Sequence, residues 1–74
     1  MDLKDILAAN LRRLRQAQDL TQEELADRAG LSARYIGAVE RGDASARITI
    51  VGRIAEALGV EPAELIRKTG AIPD

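Results

Sequence analysis

The sequence of 74 residues contains no cysteine and no histidine. Without cysteine the chain has neither a disulfide framework nor a thiolate metal site. Without histidine it lacks the commonest zinc ligand and the commonest general base. No pairing of a nucleophile with a base stands out among the remaining residues. We therefore expect a protein that is not an enzyme and has no metal or other cofactor.

Long hydrophobic runs are missing as well. No apolar stretch approaches the roughly 18 residues that a membrane-spanning helix requires. The start Met1-Asp2-Leu3-Lys4 lacks the apolar region of a signal peptide. We expect a cytoplasmic protein with no membrane partner, and the sequence indicates no small-molecule ligand.

The charges are nearly balanced, with 11 basic and 12 acidic residues. This balance argues against an indiscriminate polyanion binder, because nonspecific DNA affinity comes mainly from lysine and arginine. The distribution is uneven, since residues 1–20 and 32–47 each carry one excess positive charge and residues 21–31 carry two excess negative charges. A chain of this length forms a single domain. We place that domain at residues 1–70, followed by a short tail at 71–74.

The clearest local pattern is LTQEELADRAGLSARYIGAVERG, from Leu20 to Gly42. Thr21 is a good N-cap, and Glu24 three residues later completes a capping box. Leu20 and Leu25 form a hydrophobic staple across that cap. Gly30 is suited to the left-handed conformation just past a helix end. The pattern predicts a short helix at about residues 22–29.

A second helix signal follows at once. Ser32 can cap it, Leu31 and Ile36 repeat the staple, and Gly42 ends it. Two capped helices joined by three residues cannot lie end to end, so they must cross. The pattern predicts a helix-turn-helix; the alternative is a helical hairpin of some other small bundle.

Over the whole chain we predict an all-α fold of five helices and no strand, at about residues 3–17, 22–29, 33–41, 48–58 and 62–68. Apolar residues recur at helical spacing in the first and fourth helices, and we expect these residues to pack in the core. They are Leu3, Leu7, Leu11 and Leu14 in the first and Ile48, Val51, Ile54, Ala55 and Leu58 in the fourth. Pro62 suits the first position of the fifth helix, which we expect to end before Gly70.

The stretch LTQEELADRAGLS, followed by YI, ERG and IAEALGVEPAELI, resembles the phage repressor and Cro-like regulators of the XRE family. The resemblance covers about residues 7–66 and implies a compact lambda-repressor-like DNA-binding domain. It also implies an ion pair between Arg15 and Glu40, and a contact of Gln22 with the DNA backbone. The family commonly has proline and serine where Ala46 and Arg47 stand, so the fourth helix lacks a good N-cap.

In such a domain the third helix enters the major groove and its exposed residues contact bases. The candidates for base contact are Ser32, Ala33, Arg34, Gly37 and Ala38. Arg34 is the strongest, because a guanidinium can bond guanine bidentately. The candidates for backbone contact are Thr21, Gln22, Tyr35, Arg41, Arg47, Arg12 and Arg13. Four of these candidates have an alternative role. Arg12 and Arg13 can form a solvent-exposed face of the first helix. Gln22 can simply be a residue that favours the start of a helix, and Tyr35 can be a packed ring.

The resemblance implies a sequence-specific regulator that binds a double-stranded DNA operator as a homodimer. The apolar residues available for the dimer interface are Val60, Pro62, Ile66 and Ile72. The alternative is a protein-interaction module, such as an antitoxin or antirepressor partner with weak DNA binding. The net charge of −1 and the small pair Gly37-Ala38 favour that alternative slightly.

Overall fold

Five α-helices account for most of residues 2–68, the part of the chain that the computed structural model describes. They are α1 (Leu3–Ala17), α2 (Gln22–Ala29), α3 (Ala33–Glu40), α4 (Ile48–Leu58) and α5 (Ala63–Ile66), and these residues contain no strand. The predicted all-α class is therefore confirmed, with α2 and α3 forming the helix-turn-helix. Among the described residues, no helix has the length and apolar character needed to cross a membrane.

Local capping explains where the helices around the turn begin. Thr21 Oγ1 accepts a hydrogen bond from the Glu24 amide at 3.0 Å, and Glu24 Oε1 accepts one from the Thr21 amide at 2.8 Å. Gly30 ends α2 in the left-handed conformation, with φ of 69°. Ser32 Oγ then accepts from the Tyr35 amide at 3.0 Å and starts α3. At α4 the cap residue Arg47 makes no side-chain capping bond, as its departure from the family pattern predicts.

One hydrophobic core joins all five helices. Helix α2 crosses α3 and also packs on α4, while α1 packs on α3 and α5. The largest fully buried apolar side chains are Leu11, Leu25, Ile36, Val39, Ile54 and Leu65. They come from every helix, so burying them holds the short helices α2 and α3 in their crossed arrangement.

Two residues expected in the core lie outside it. Leu3 is 55% exposed and Ile48 is 86% exposed. Each is the first residue of its helix, and helical side chains lean toward the N-terminus. Their side chains therefore point beyond the packed ends of α1 and α4, although their spacing matches the buried positions.

The last helix is shorter than predicted, because α5 ends at Ile66 and Arg67 has an extended conformation with ψ of 136°. The side-chain amide of Asn10 donates to the Leu65 carbonyl at 3.0 Å and to the Arg67 carbonyl at 2.8 Å. These carbonyls are satisfied by α1, so a further helical turn is not needed to pair them. Gly70, Ile72 and the predicted tail at 71–74 lie outside the described residues.

Candidate nucleic-acid interface

The start of α3 presents one long cation among small side chains. Arg34 is exposed and makes no hydrogen bond or ion pair within residues 2–68. Ala33 and Ala38 are half-buried, and Ala33 packs against the core. Ser32 is exposed, but its oxygen already accepts the capping bond from Tyr35. The guanidinium of Arg34 is therefore an exposed polar group at this end of α3 that has no partner within residues 2–68.

Gly37 differs from the other predicted base-contacting residues, because it is buried. The expectation that it faces outward is wrong, since two long side chains cover it. A Cβ atom at residue 37 would lie 3.2 Å from Arg41 Nη1 and 3.4 Å from Gln22 Oε1. The Gln22 amide and the Arg41 guanidinium therefore lie directly over the α3 backbone at Gly37.

Glu40 lies at the centre of a buried polar network. Its side chain, in a residue only 3% exposed, accepts hydrogen bonds from Arg15 Nε at 2.6 Å and from Arg15 Nη2 at 3.1 Å. Gln22 Nε2 donates to Glu40 Oε1, also at 3.1 Å. The ion pair that the resemblance implies is present, and it joins α1 to α3.

Arg15 also donates from Nη1 to the Leu20 carbonyl at 2.7 Å, so one guanidinium ties α3 to the segment before α2. The pKa of Arg15 is raised, mainly by its hydrogen bond to Glu40 and also by that carboxylate's charge, while burial opposes the shift. Removing one member of a buried ion pair typically costs about 3–5 kcal/mol, because the other charge stays buried. The network therefore stabilises the position of α3 that the interface requires.

The predicted backbone-contacting residues are distributed over several surfaces. Arg12 donates to the Glu40 carbonyl at 2.8 Å, which places its side chain at the end of α3. Arg13 donates to Asn10 Oδ1 at 3.3 Å, on the side of α1 that faces α5. Thr21 and Arg47 are exposed. The structure thus brings Arg12 near α3, whereas Arg13 is directed away from it.

The remaining two candidates are Tyr35, which lies in α3, and Arg41, which is the C-cap of that helix. Arg41 is exposed and pairs with Asp43, Nε to Oδ2 at 3.0 Å. Tyr35 is half-buried against the core, and its hydroxyl donates to the Ser45 carbonyl at 3.3 Å. The ring of Tyr35 therefore packs against the core, which was the alternative to a contact with the DNA backbone. Its hydroxyl supports the loop before α4.

Two polar residues that position the interface were missed in the sequence. Asn10 is buried and holds the end of α5. The sequence does indicate that Asn10 is buried, because this polar residue lies at helical spacing between the apolar residues Leu7 and Leu14. Arg53 Nη2 donates to the Gly30 carbonyl at 2.9 Å and so holds α4 against the turn between α2 and α3. No local pattern distinguishes Arg53 from an ordinary exposed arginine.

Known regulators have similar sequences. An uncharacterized HTH-type transcriptional regulator, y4dJ of Sinorhizobium fredii (strain NBRC 101917 / NGR234), is 37% identical over 73 residues, covering 99% of this chain and 95% of the relative. Control protein C.SmaI of Serratia marcescens is 39% identical over 70 residues, covering 95% and 83%.

Solved structures agree in fold. The hypothetical transcription factor NHTF from Neisseria has a TM-score of 0.90 at 36% identity, covering 95% of this chain and 80% of that one. The restriction-modification controller protein C.AhdI from Aeromonas hydrophila has a TM-score of 0.81 at 40% identity, covering 84% and 94%.

A family model also matches the region that contains the interface. The model, described as Helix-turn-helix (HTH_3), matches residues 11–65, which include α2, α3 and α4 complete. The family consists of HTH transcriptional regulators, which are DNA-binding proteins and not enzymes. The chain belongs to the HTH_3 helix-turn-helix family, the XRE family of DNA-binding transcriptional regulators.

Proposed function

We propose that the protein is a sequence-specific regulator that binds double-stranded DNA as a two-fold dimer, with α3 in the major groove and α2 across the backbone. The observation that carries this proposal is the exposed Arg34, free of partners within residues 2–68, on a helix face otherwise made of small residues. A guanidinium on such a face can reach base edges without obstruction by its neighbours.

The proposed DNA contacts are of two chemical types, contacts to bases and contacts to phosphates. Arg34 bonds a guanine bidentately, whereas Ala33 and Ala38 make only apolar contact, for example with a thymine methyl. Gln22, the exposed amides at the start of α2 and the cations Arg41 and Arg47 bind phosphates, which sets the position of the domain on the duplex. With so few polar side chains on α3, the shape and deformability of the DNA contribute to specificity.

The proposal of a dimer rests on the small number of cations on the surface that would face DNA. A single domain with few phosphate contacts binds weakly at physiological salt, so useful occupancy requires two linked domains. Among the dimer candidates, Pro62 is exposed and Ile66 is 41% exposed. Val60 is half-buried and packs against the core, so less of it is available. Ile72 lies outside the described residues.

The exposed Leu3 and Ile48 are further apolar candidates for the dimer interface. Leu3, Ile66 and the buried Val51 line one shallow depression of about 220 Å³, and Ile48 lies one turn before Val51 on α4. We propose that the dimer surface consists of the exposed apolar residues Leu3, Ile48, Pro62 and Ile66. A patch of this size forms a weak dimer that DNA binding strengthens.

The test of the proposal is selection of bound duplexes from a random-sequence library, followed by affinity measurements over a range of salt concentrations. We expect a pseudo-palindromic consensus, and a steep fall of affinity for random duplex as salt rises. A protein-interaction module would select no consensus, and its affinity for random duplex would be low and nearly independent of salt.

A further inference from the structure

We propose that Asp43 is a specificity-determining residue: by holding Arg41 in one orientation, it weakens binding to random DNA more than binding to the operator. This inference deepens the proposed function and rests on it, since Arg41 is there a phosphate contact. The observations that carry it are the ion pair between Arg41 and Asp43 and the position of the Arg41 guanidinium over α3.

The Arg41 side chain turns back along α3. Arg41 is the C-cap of that helix, yet its Nη1 atom lies 3.2 Å from the place that a Cβ atom of residue 37 would occupy. The Gln22 side-chain amide lies over the same place, with its oxygen at 3.4 Å and its nitrogen at 3.6 Å. Residues three or four apart on a helix are neighbours, so Arg34 also lies beside this position. Nη1 of Arg41 is therefore on the side of α3 that carries the proposed DNA contacts.

Asp43 binds a different part of the same guanidinium. Its Oδ2 atom accepts a hydrogen bond from Arg41 Nε at 3.0 Å, and both side chains are exposed. The backbone at this position is tied to α3, because the Asp43 amide donates to the Ala38 carbonyl at 2.9 Å and the Gly42 amide donates to the Val39 carbonyl at 3.0 Å. The carboxylate therefore extends from an ordered helix end, next to the proposed DNA surface.

The planar guanidinium turns this ion pair into a constraint on where a phosphate can bind. Its five N–H donors have a rigid geometry, so binding one of them fixes the direction of the others. With Nε bound to Asp43, a phosphate beside the Gln22 amide can bond Nη1 and leave the ion pair intact. A phosphate that approaches from the Asp43 side is repelled by the carboxylate or has to break the ion pair.

Random and specific duplexes differ in how they meet this constraint. Binding to random DNA depends on the phosphates alone, so the domain contacts them in many registers. On the operator, base contacts fix a single register. Asp43 acts against the unfavourable registers, and an element that opposes wrong partners is a general source of specificity.

Glu56 provides the matched control. It is exposed near the end of α4, outside the candidate interface and the proposed dimer surface. Asp43→Asn and Glu56→Gln each replace a carboxylate by an amide of the same shape, and each raises the net charge of −1 by one. Exposed ion pairs contribute little to stability, so the Tm of both variants should stay close to that of the wild type. A difference between their DNA affinities then reports the position of the charge.

The experiment measures affinity for the duplex selected from the library and for a random duplex, over a range of salt concentrations. We expect Asp43→Asn to strengthen binding to random duplex by about fivefold, the upper effect of an exposed ion pair, and to steepen its salt dependence by about one counterion. Binding to the selected duplex should rise by less than about twofold, because its register already leaves the ion pair intact. The ratio of the two affinities therefore falls in Asp43→Asn and is unchanged in Glu56→Gln.

The same substitution in the Arg41→Ala background tests whether the effect passes through Arg41. There Asp43→Asn should strengthen binding to both duplexes by the same factor, since only the repulsion between the carboxylate and phosphate remains. A fall in the affinity ratio that persists without Arg41 overturns the inference. It is also overturned if Asp43→Asn in the wild-type background changes both affinities equally, leaves both unchanged or lowers them.

A second readout does not depend on DNA. The Arg41 Nε–H signal in an NMR spectrum should shift in Asp43→Asn and remain in place in Glu56→Gln. A signal that does not move in Asp43→Asn shows that the ion pair is absent in solution, which overturns the inference. If the wild type selects no consensus and binds neither duplex, the proposed function fails, and this inference fails with it even where the signal shifts.

Discussion

Charged residues of this domain differ in how much of their bonding capacity the fold consumes. Arg15 is largely buried, and its donors are taken by Glu40 and the Leu20 carbonyl. Arg34 is exposed and keeps its donors free within residues 2–68. A buried arginine with bonded donors, such as Arg15, stabilises the fold, whereas an exposed arginine with free donors, such as Arg34, is available to a ligand.

Replacing Arg34 by alanine should therefore affect recognition and leave stability nearly unchanged. We expect Arg34→Ala to weaken the best operator by about 1–3 kcal/mol and to relax the preference at one base pair. Gln22→Ala should weaken all duplexes nearly equally. Titration of the selected duplex and its single-base variants measures both effects. Equal loss for Arg34→Ala on specific and random DNA would make Arg34 a phosphate contact.

A second prediction at this scale concerns the capping box. The pKa of Glu24 is lowered, mainly because the Thr21 backbone amide donates to its carboxylate, with the Thr21 side chain adding to the effect. Folded Glu24 therefore binds a proton less readily than unfolded Glu24, whose pKa is about 4.3. Its contribution to stability is fully present above that pH and is lost as the pH falls through the lower pKa of the folded state.

The measurement is Tm against pH for the wild type and Glu24→Gln. The glutamine keeps an oxygen acceptor but does not titrate, so the wild-type advantage should shrink as the solution becomes acidic. Glu23→Gln is the control, since Glu23 is also in the first turn of α2 but makes no capping bond. An advantage that stays constant at acidic pH would contradict the assignment.

Among the helices, α1 connects the largest number of other elements through polar side chains. Arg15 binds α3, and Asn10 binds the carbonyls at the end of α5. Gln18, the C-cap of α1, donates from Nε2 to the Leu58 carbonyl at the end of α4 at 2.6 Å. The bonds from Asn10 and Gln18 satisfy backbone carbonyls at helix ends that have no partner within their own helix. Helix α1 therefore sets where the ends of α3, α4 and α5 lie.

Removing the buried Asn10 side chain should lower the free energy of unfolding more than removing the exposed Gln18 side chain. We expect Asn10→Ala to lower the free energy of unfolding by about 1–3 kcal/mol, since buried carbonyls lose their donor. Gln18→Ala, at an exposed residue, should cost less than about 1 kcal/mol. Urea denaturation measures both values. A cost for Asn10→Ala no greater than that for Gln18→Ala would show that α5 does not depend on this contact.

The whole molecule has a net charge of −1, so its affinity for DNA depends on where the cations lie and on how many domains bind together. The proposed dimer surface includes Ile48, the most exposed of the large apolar residues among those described. A solvent-exposed isoleucine at the start of α4 contributes little to the core of one chain, which favours a role between chains.

We predict that Ile48→Asp abolishes dimerisation and leaves the fold intact, because an acidic residue at the start of a helix interacts favourably with its dipole. Sedimentation should show concentration-dependent dimers for the wild type and only monomers for the variant. Thr49→Asp, at the next exposed position of α4, is the control. If a half-site binds the wild type as tightly as the full operator, and the wild type sediments only as a monomer with and without DNA, the dimer proposal fails.

The sequence by itself determined where the helices of this domain lie. The caps Thr21, Ser32 and Gly30 act on atoms a few residues away, so their effects can be predicted without knowing the rest of the fold. The bounds of α2 agree with the predicted span for this reason, and those of α1 and α4 agree with the spans that apolar periodicity predicts. The Arg15–Glu40 ion pair could be predicted only from the resemblance to a family, because no local rule joins residues 25 positions apart.

Only the tertiary structure decided which positions of those helices are covered. Asn10 meets the Leu65 carbonyl across 55 residues, and this contact ends α5 two residues before the predicted boundary. Gly37 is buried because the side chains of Arg41 and of Gln22, which belongs to another helix, lie over it. Leu3 and Ile48 have the spacing of core residues but lie past the ends of their neighbours. Helical periodicity describes one helix at a time, whereas burial depends on where the other helices end.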